Sequence, residues 1–352
     1  MNKKLIALAV AGACVAPAAM AQTANPVTLY GRVYVTLESV EAKANGAAAA
    51  VNRRMRVADQ SSMFGIRGTE DIGGGLKAFF QLETAFKPDQ NDTTFAARNS
   101  GVGLQGGWGS ILLGRWDTPW KVTSIAVDPF GDLTIGGITG TLSDGGNFDR
   151  REQNVIQYWS PSWGGVAVRL SRTANEGKTA TANPYSQGAS VTYTGGPAYV
   201  FLTYEEHKDQ LGSTTPVSGA EEKGFAGGGS FSFGPVKVGG QYQEIKRTPA
   251  APPGRSKTKN VMGNVVFTAG NNQFIYQYMN SKDGAADGSA EPDCKSNNLG
   301  YQYNFSRRTF FLAQYTKVDN NDASSCNFGA NRLAAAAGQD IQGVSLGIRH
   351  VF

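Results

Sequence analysis

Residues able to do bond-making chemistry are sparse in this chain. Only two histidines occur, His207 and His350. Neither stands with an orienting carboxylate and a serine nucleophile in a way that would make it a general base. No Cys/His spacing marks a metal site, and no cofactor motif is present. Gly101-Val102-Gly103-Leu104-Gln105-Gly106 spells GxGxxG, but it lies in a hairpin pattern with no helix after it, so it does not read as a dinucleotide site. Charge is what the sequence does arrange. From Trp116 to Arg150 the chain carries Asp117, Asp128, Asp132, Asp144 and Asp149 against Lys121 alone. Elsewhere Arg67, Lys77, Arg151 and Arg169 fall on polar positions of alternating segments. Fixed charges of opposite sign across a water-filled gap sort ions and dipolar solutes; they do not break bonds. A channel is expected, and an enzyme is not.

Such charges need a scaffold that turns them toward one aqueous space. Val27, Leu29, Val33, Val35 and Leu37 alternate with Thr28, Tyr30, Arg32, Tyr34 and Thr36. The same period of two recurs at Leu76–Thr84, Val166–Ser171 and Val344–Phe352, as expected of strands with one apolar and one polar face. Tight connections such as Asp71-Ile72-Gly73-Gly74-Gly75, Gly195-Gly196-Pro197 and Phe233-Gly234-Pro235 take turns with long polar ones at 41–60, 208–222, 282–295 and 319–339. Short turns at one end and long loops at the other point to a transmembrane β-barrel. Sixteen strands are expected, with the second at 60–70, the fourth at 95–106 and the last at 340–352. Closure would leave no unpaired edge in lipid.

The flanking signals agree with export. Lys3 and Lys4, the apolar run Leu5–Val15 and Ala19-Met20-Ala21 read as a signal peptide over 1–21. That leaves one barrel domain over 22–352. No apolar run approaches the roughly 20 residues of a membrane helix. Charged residues make up 17%, below the roughly 25% of soluble domains. Without Lys3 and Lys4 the chain has 31 basic against 28 acidic residues, too mild a balance for nucleic acid binding. Cys294 and Cys326 lie in polar, turn-rich stretches. In an exported protein they form either a disulfide or two free thiols.

The motifs Gly65-Ile66-Arg67-Gly68-Thr69-Glu70-Asp71-Ile72-Gly73-Gly74-Gly75-Leu76-Lys77-Ala78, Leu113-Gly114-Arg115, Asn154-Val155-Ile156-Gln157-Tyr158 and Gly347-Ile348-Arg349-His350-Val351-Phe352 occur in a familiar order. The chain resembles the general porins of Gram-negative bacteria, in their neisserial and β-proteobacterial branch. The resemblance implies an all-β, antiparallel 16-stranded barrel in the outer membrane whose third extracellular loop folds inward, here about 116–150. It also implies a homotrimer in lipid and lipopolysaccharide, passing small polar or anionic solutes passively. A C-terminal Phe352 would be read by the barrel assembly machinery.

On that basis Arg67, Lys77, Arg98, Arg115, Arg150, Arg151 and Arg169 are the expected basic wall of a constriction. Glu83, Asp117, Asp128, Asp132 and Asp144 are its expected acids. Arg98 and Arg115 sit on outward parity and reach the lumen only through a bulge. Met63 stands where relatives often carry an arginine. Trp116, Trp120 and Phe130 would favour a substrate-selective channel if they lined the passage. Arg53, Arg54 and Arg56 are expected in the first long loop, facing solvent or lipopolysaccharide. A mainly adhesive barrel is the remaining alternative.

Overall fold

The computed structural model describes residues 27–44, 49–90, 92–131, 134–142, 148–210, 216–248, 255–285 and 293–352. The signal-peptide reading at 1–21 lies outside them, as do Asp132 and Asp144. In chain order the strands are β1 (Thr28–Ala42), β2 (Val51–Asp59), β3 (Met63–Gly73), β4 (Leu76–Lys87), β5 (Asp92–Thr94), β6 (Ser100–Gly106) and β7 (Gly109–Asp117). After helix α1 (Pro119–Ile125) come β8 (Arg151–Trp159), β9 (Val166–Thr173), β10 (Tyr185–Gly195), β11 (Ala198–Gln210), β12 (Pro216–Phe233) and β13 (Val236–Thr248). The series ends with β14 (Arg255–Ala269), β15 (Asn272–Ala285), β16 (Asp293–Asn304), β17 (Thr309–Asn320) and β18 (Ile341–Val351).

These segments build sixteen staves. β2 and β3 pair in succession with β1 and form one stave, broken at Gln60–Ser62. β5 and β6 likewise follow one another along β4, broken at 95–99. Every pairing is antiparallel between successive staves, and β1 pairs with β18 from Arg32↔Val351 to Ala42↔Ile341. The sheet is a closed antiparallel barrel, which satisfies each backbone group without an edge. Phe352 completes the seam by exchanging backbone hydrogen bonds with Gly31 at 3.0 and 3.1 Å. The Phe352 ring occupies the space a side chain at Gly31 would need, since a Cβ there would lie 2.5 Å from it.

Alternation sorts the two faces. Val33, Leu37, Val200, Leu202, Val261, Val265, Leu346 and Ile348 are exposed on the outer face, an apolar band of the kind that meets lipid. Thr36, Gln157, Thr203, Gln243, Asn264, Gln277 and Thr316 point inward and are covered. At the short-turn end, Gly73, Gly74 and Gly75 take φ of 87°, 62° and 78°, a region that side-chain-bearing residues rarely enter. The strands run further toward the long-loop end than alternation indicated. Residues 51–59 are strand β2, so Arg53, Arg54 and Arg56 stand on a stave and not in a loop. Cys294 and Cys326 are joined by a disulfide, Cα to Cα 6.3 Å, which ties the long connection after β17 to the start of β16.

Candidate functional site

The connection from Thr118 to Arg150 enters the barrel. Thr118 caps α1 by accepting the Lys121 amide proton at 3.2 Å, and Pro119 opens the helix. Trp120 and Phe148 pack together at 5.1 Å. With Val127, Ile138 and Leu142 they meet Phe201, Ala226, Ile245, Met262 and Met279 in one buried cluster. The latter five lie on the inward parity of β11 to β15, where a bare water-filled wall would carry polar groups. Their apolar character is explained by the loop that covers them.

Polar pins continue along the same arc. The Gln243 amide donates to Ser124 Oγ at 3.1 Å, and Ser124 donates to Gln241 at 3.0 Å. Asn264 donates to the Val127 carbonyl at 2.8 Å, and Asn260 to that of Leu142. Gln277 donates to Asp128 at 2.8 Å. Further round, Asn327, Gly329 and Ala330 of the connection after β17 donate backbone hydrogen bonds to Gly140, Ile135 and Thr134. The loop therefore lines the inside from about β9 to β17, and at the long-loop end Ile135 with Phe328 and Leu333 also covers Val40 and Ala42 of β1 and Ile341 of β18. The open lumen runs along the inner faces left uncovered, chiefly those of β3 to β8.

Gly224 on β12 makes room for this docking: a Cβ there would lie 2.5 Å from the Phe148 ring. Gly224→Leu is expected to lift the loop base, raising single-channel conductance and open-channel noise. Unchanged current would show that the loop base does not set the aperture.

The glutamates on the inner face are each matched with a basic side chain. Glu38 takes Arg56 Nε at 2.7 Å, Glu83 takes Arg98 Nε at 2.6 Å, and Glu152 takes Arg150 at 2.5 Å. Glu205 holds His207 Nε2 at 2.9 Å, and Glu222 holds His207 Nδ1 at 3.1 Å and Arg247 Nε at 2.9 Å. The described loop acids Asp117, Asp128 and Asp149 are spent in the same way. Asp117 pairs with Arg151 at 2.9 Å and Asp149 with Lys121 at 3.6 Å. Asp128 accepts the backbone protons of Phe130 and Ile138 at 2.9 and 3.1 Å. It organises the loop and does not face the passage.

Four inward arginines have no carboxylate within ion-pair distance among the described residues: Arg54, Arg67, Arg169 and Arg349. Three lie over aromatic rings instead. Arg67 stands 4.9 Å from the Tyr30 centroid, Arg169 5.2 Å from Trp159 and Arg349 4.8 Å from Phe310. Lys77, opposite Asp71 and Gln105 on the inward parity, is exposed near the short-turn end.

The structure thus divides the residues that sequence brought together. Arg67, Lys77 and Arg169 line the lumen. Arg98 enters it to bind Glu83 and Ser61, because the stave breaks at 95–99, where Ala96 has φ 53°. Arg115 does not enter. It keeps the outward parity of Ile111 and Leu113, donates to the Ala97 carbonyl at 2.8 Å and lines an outer groove with Leu113 and Ile156. Arg151 turns to Asp117 and Asn99, and Arg150 to Glu152. Trp120 and Phe130 are buried where the loop packs against the wall and cannot act as a sliding surface, whereas Trp116 stays partly exposed.

Two features were not expected. Arg54 and Arg56 lie on the inner face of β2, opposite Val40 and Glu38. His207 is fully buried between two carboxylates, with Phe148 of the loop stacked 4.5 Å away. Glu152, Glu205 and His207 bring three possible metal-ligand atoms within 4.8 Å of one another. Arg150 and Arg247, however, already supply this cluster with cations. The sequence signal was present: Glu205 and His207 share a strand face, and Glu222 is directly opposite His207 on β12.

Comparisons agree with this architecture. Residues 7–323 match the model of the Gram-negative porin family. Outer membrane porin protein 32 of Delftia acidovorans is 32% identical over 369 residues, covering 100% of both chains. Major outer membrane protein P.IB of Neisseria gonorrhoeae is 30% identical, covering 89% of this chain and 92% of that one. The solved anion-selective porin from Comamonas acidovorans superposes with a TM-score of 0.80 at 30% identity, over 93% of this chain and 100% of that one. OmpT of Vibrio cholerae, 17% identical with a TM-score of 0.70, has the same fold and has been solved in a trimer form. With its closed barrel, apolar outer band and loop-narrowed polar lumen, the chain belongs to the Gram-negative porin family and is a channel of the outer membrane.

Proposed function

We propose that the protein is a general diffusion porin that passes small hydrophilic solutes down their gradients and prefers anions. One observation carries the sign. Each of the five inward glutamates named above holds a basic side chain, while Arg54, Arg67, Arg169 and Arg349 keep their charge for the water in the lumen. A narrow channel with low-dielectric walls concentrates the field of such charges and draws in counter-ions. The anion-selective porin similar to this chain supports the same sign. The constriction runs between the docked loop and the wall carrying Arg54, Arg67 and Arg169. Passage needs no cofactor and no bond chemistry.

A homotrimer in lipid and lipopolysaccharide fits the exposed apolar band and the trimer form solved for OmpT. Removal of residues 1–21 on export, and recognition of Phe352 by the assembly machinery, complete the reading. The experiment is single-channel recording of the refolded protein in a planar bilayer under a KCl gradient. The reversal potential should take the sign of chloride preference, and openings should close in three equal steps. A folded but silent barrel would sink the diffusion reading; a potassium-selective reversal potential would sink the anion preference.

A further inference from the structure

The lumen holds a strip of aromatic rings that diffusion of inorganic ions does not use. Trp159 on β8 and Arg169 on β9 are register partners on the inner face. Trp116 lies 5.3 Å from the indole at 51° and Phe79 6.2 Å away at 30°. Gly103 gives Phe79 its place, because a Cβ there would fall 2.5 Å from the ring. Trp159 Nε1 donates to Gln157 at 2.9 Å, which fixes the indole plane. All four side chains are only partly buried. Trp120 and Phe148, by contrast, are fully buried and hold the loop down. Phe79, Trp116 and Trp159 lie on the wall that the loop leaves open, next to a guanidinium that forms no ion pair among the described residues.

We infer that this strip is a transient binding site for aromatic carboxylates. The Arg169 guanidinium takes the carboxylate through two parallel N–H···O bonds, and the ring of the solute stacks on Trp159 between Trp116 and Phe79. The site rests on the anion-conducting reading above and narrows it to a solute class. Binding there has to be strong enough to favour entry and weak enough to allow exit. A half-open strip, as opposed to an enclosed pocket, meets both needs.

The test is block of chloride current in single channels by sodium benzoate, with sodium cyclohexanecarboxylate as a ring of equal charge and similar size but no π face. Benzoate should block at a half-saturating concentration about 2- to 10-fold lower, the range that aromatic contacts confer. In Trp159→Leu the two values should converge, each block being normalised to that variant's own open-channel current. Trp116→Leu provides a second route should the first variant fail to fold. Arg169→Gln should weaken both acids together by about tenfold, the worth of a charge-assisted hydrogen bond. Equal block by the two acids in the unaltered protein overturns the inference, as does a benzoate preference that survives both tryptophan changes. The reversal potential separates this from the broader reading. Chloride preference without benzoate preference removes the site alone, and benzoate preference without chloride preference removes the anion-selective reading alone.

Discussion

Replacing Arg67, Arg169 and Arg349 together with glutamine should lower the chloride-over-potassium permeability ratio by about tenfold or more. Two unit charges 4 Å apart in water interact by about 1 kcal/mol, and by more where the wall lowers the effective dielectric. Three such charges on one passage then approach several kcal/mol, and each 1.4 kcal/mol is a factor of ten. None of the three has a carboxylate partner among the described residues, so glutamine leaves no buried carboxylate stranded. The equivalent change at Arg56 or Arg98 would strand Glu38 or Glu83 and confuse loss of charge with loss of structure. The effect should also shrink with salt: the screening length is about 10 Å at 0.1 M and about 3 Å at 1 M. Reversal potentials at both ionic strengths check it. A ratio unchanged at 0.1 M would show that the passing ion does not feel these arginines.

The second large effect concerns Glu222. Its two oxygens serve His207 and Arg247, and it is 1% exposed. Glu222→Ala would leave Arg247 without this carboxylate inside the wall, and removing one partner of a buried pair costs about 3–5 kcal/mol. The sixteen-stave ladder is not where that cost should appear first. Phe148 packs on His207 and Trp120 on Phe148, so disturbance at Glu222 is expected to pass to the base of the inward loop. Glu222→Ala is expected to lower the temperature at which the folded form is lost on cold-SDS gels. It should also produce frequent closures or sub-conductance states in bilayers. The double change Glu222→Leu with Arg247→Met removes both charges and should recover most of the thermal loss, since neutral, well-packed replacements of buried ion pairs are often tolerated. A single variant as heat-stable and as quiet as the parent would refute the coupling of cluster to loop.

Much of this architecture was legible in the sequence, and the lapses have physical causes. Alternation located the staves because each spans from lipid to water with one face in each. It failed at 51–59, where Arg53 and Arg54 are adjacent: at the long-loop end both faces of β2 meet polar surroundings, and the period of two loses its contrast. Arg53 pairs outward with Glu41 at 2.7 Å while Arg54 points inward. Parity also misjudged Arg98, because a break at 95–99 resets the faces, and no residue pattern marks that break as clearly as glycine marks the turns. Arg115 followed its outward parity, and there the motif was the poorer guide. The apolar inward residues Phe201, Ile245, Met262 and Met279 were a readable sign of loop docking, since a stave apolar on both faces must be covered on one of them. The pairing of loop acids was not readable, because partners such as Asp128 and Gln277 are far apart along the chain and meet only through the docked loop.

The docked loop has a mechanical consequence as well. It fastens to β13, β14 and β15 by hydrogen bonds, and the connection after β17 carries the fastening on to β2, where Asn331 donates to the Asp59 carbonyl at 2.7 Å and Arg56 to that of Asn331 at 2.6 Å. One arc of the tube is therefore ribbed from within. The arc from β3 to β8 has no such rib among the described residues, and it is the arc that carries Arg67, Phe79 and Trp159. Under lateral pressure from the bilayer, that side is expected to yield first. A second barrel pressed against its outer face, as in the proposed trimer, would stiffen it and help the aperture keep its shape.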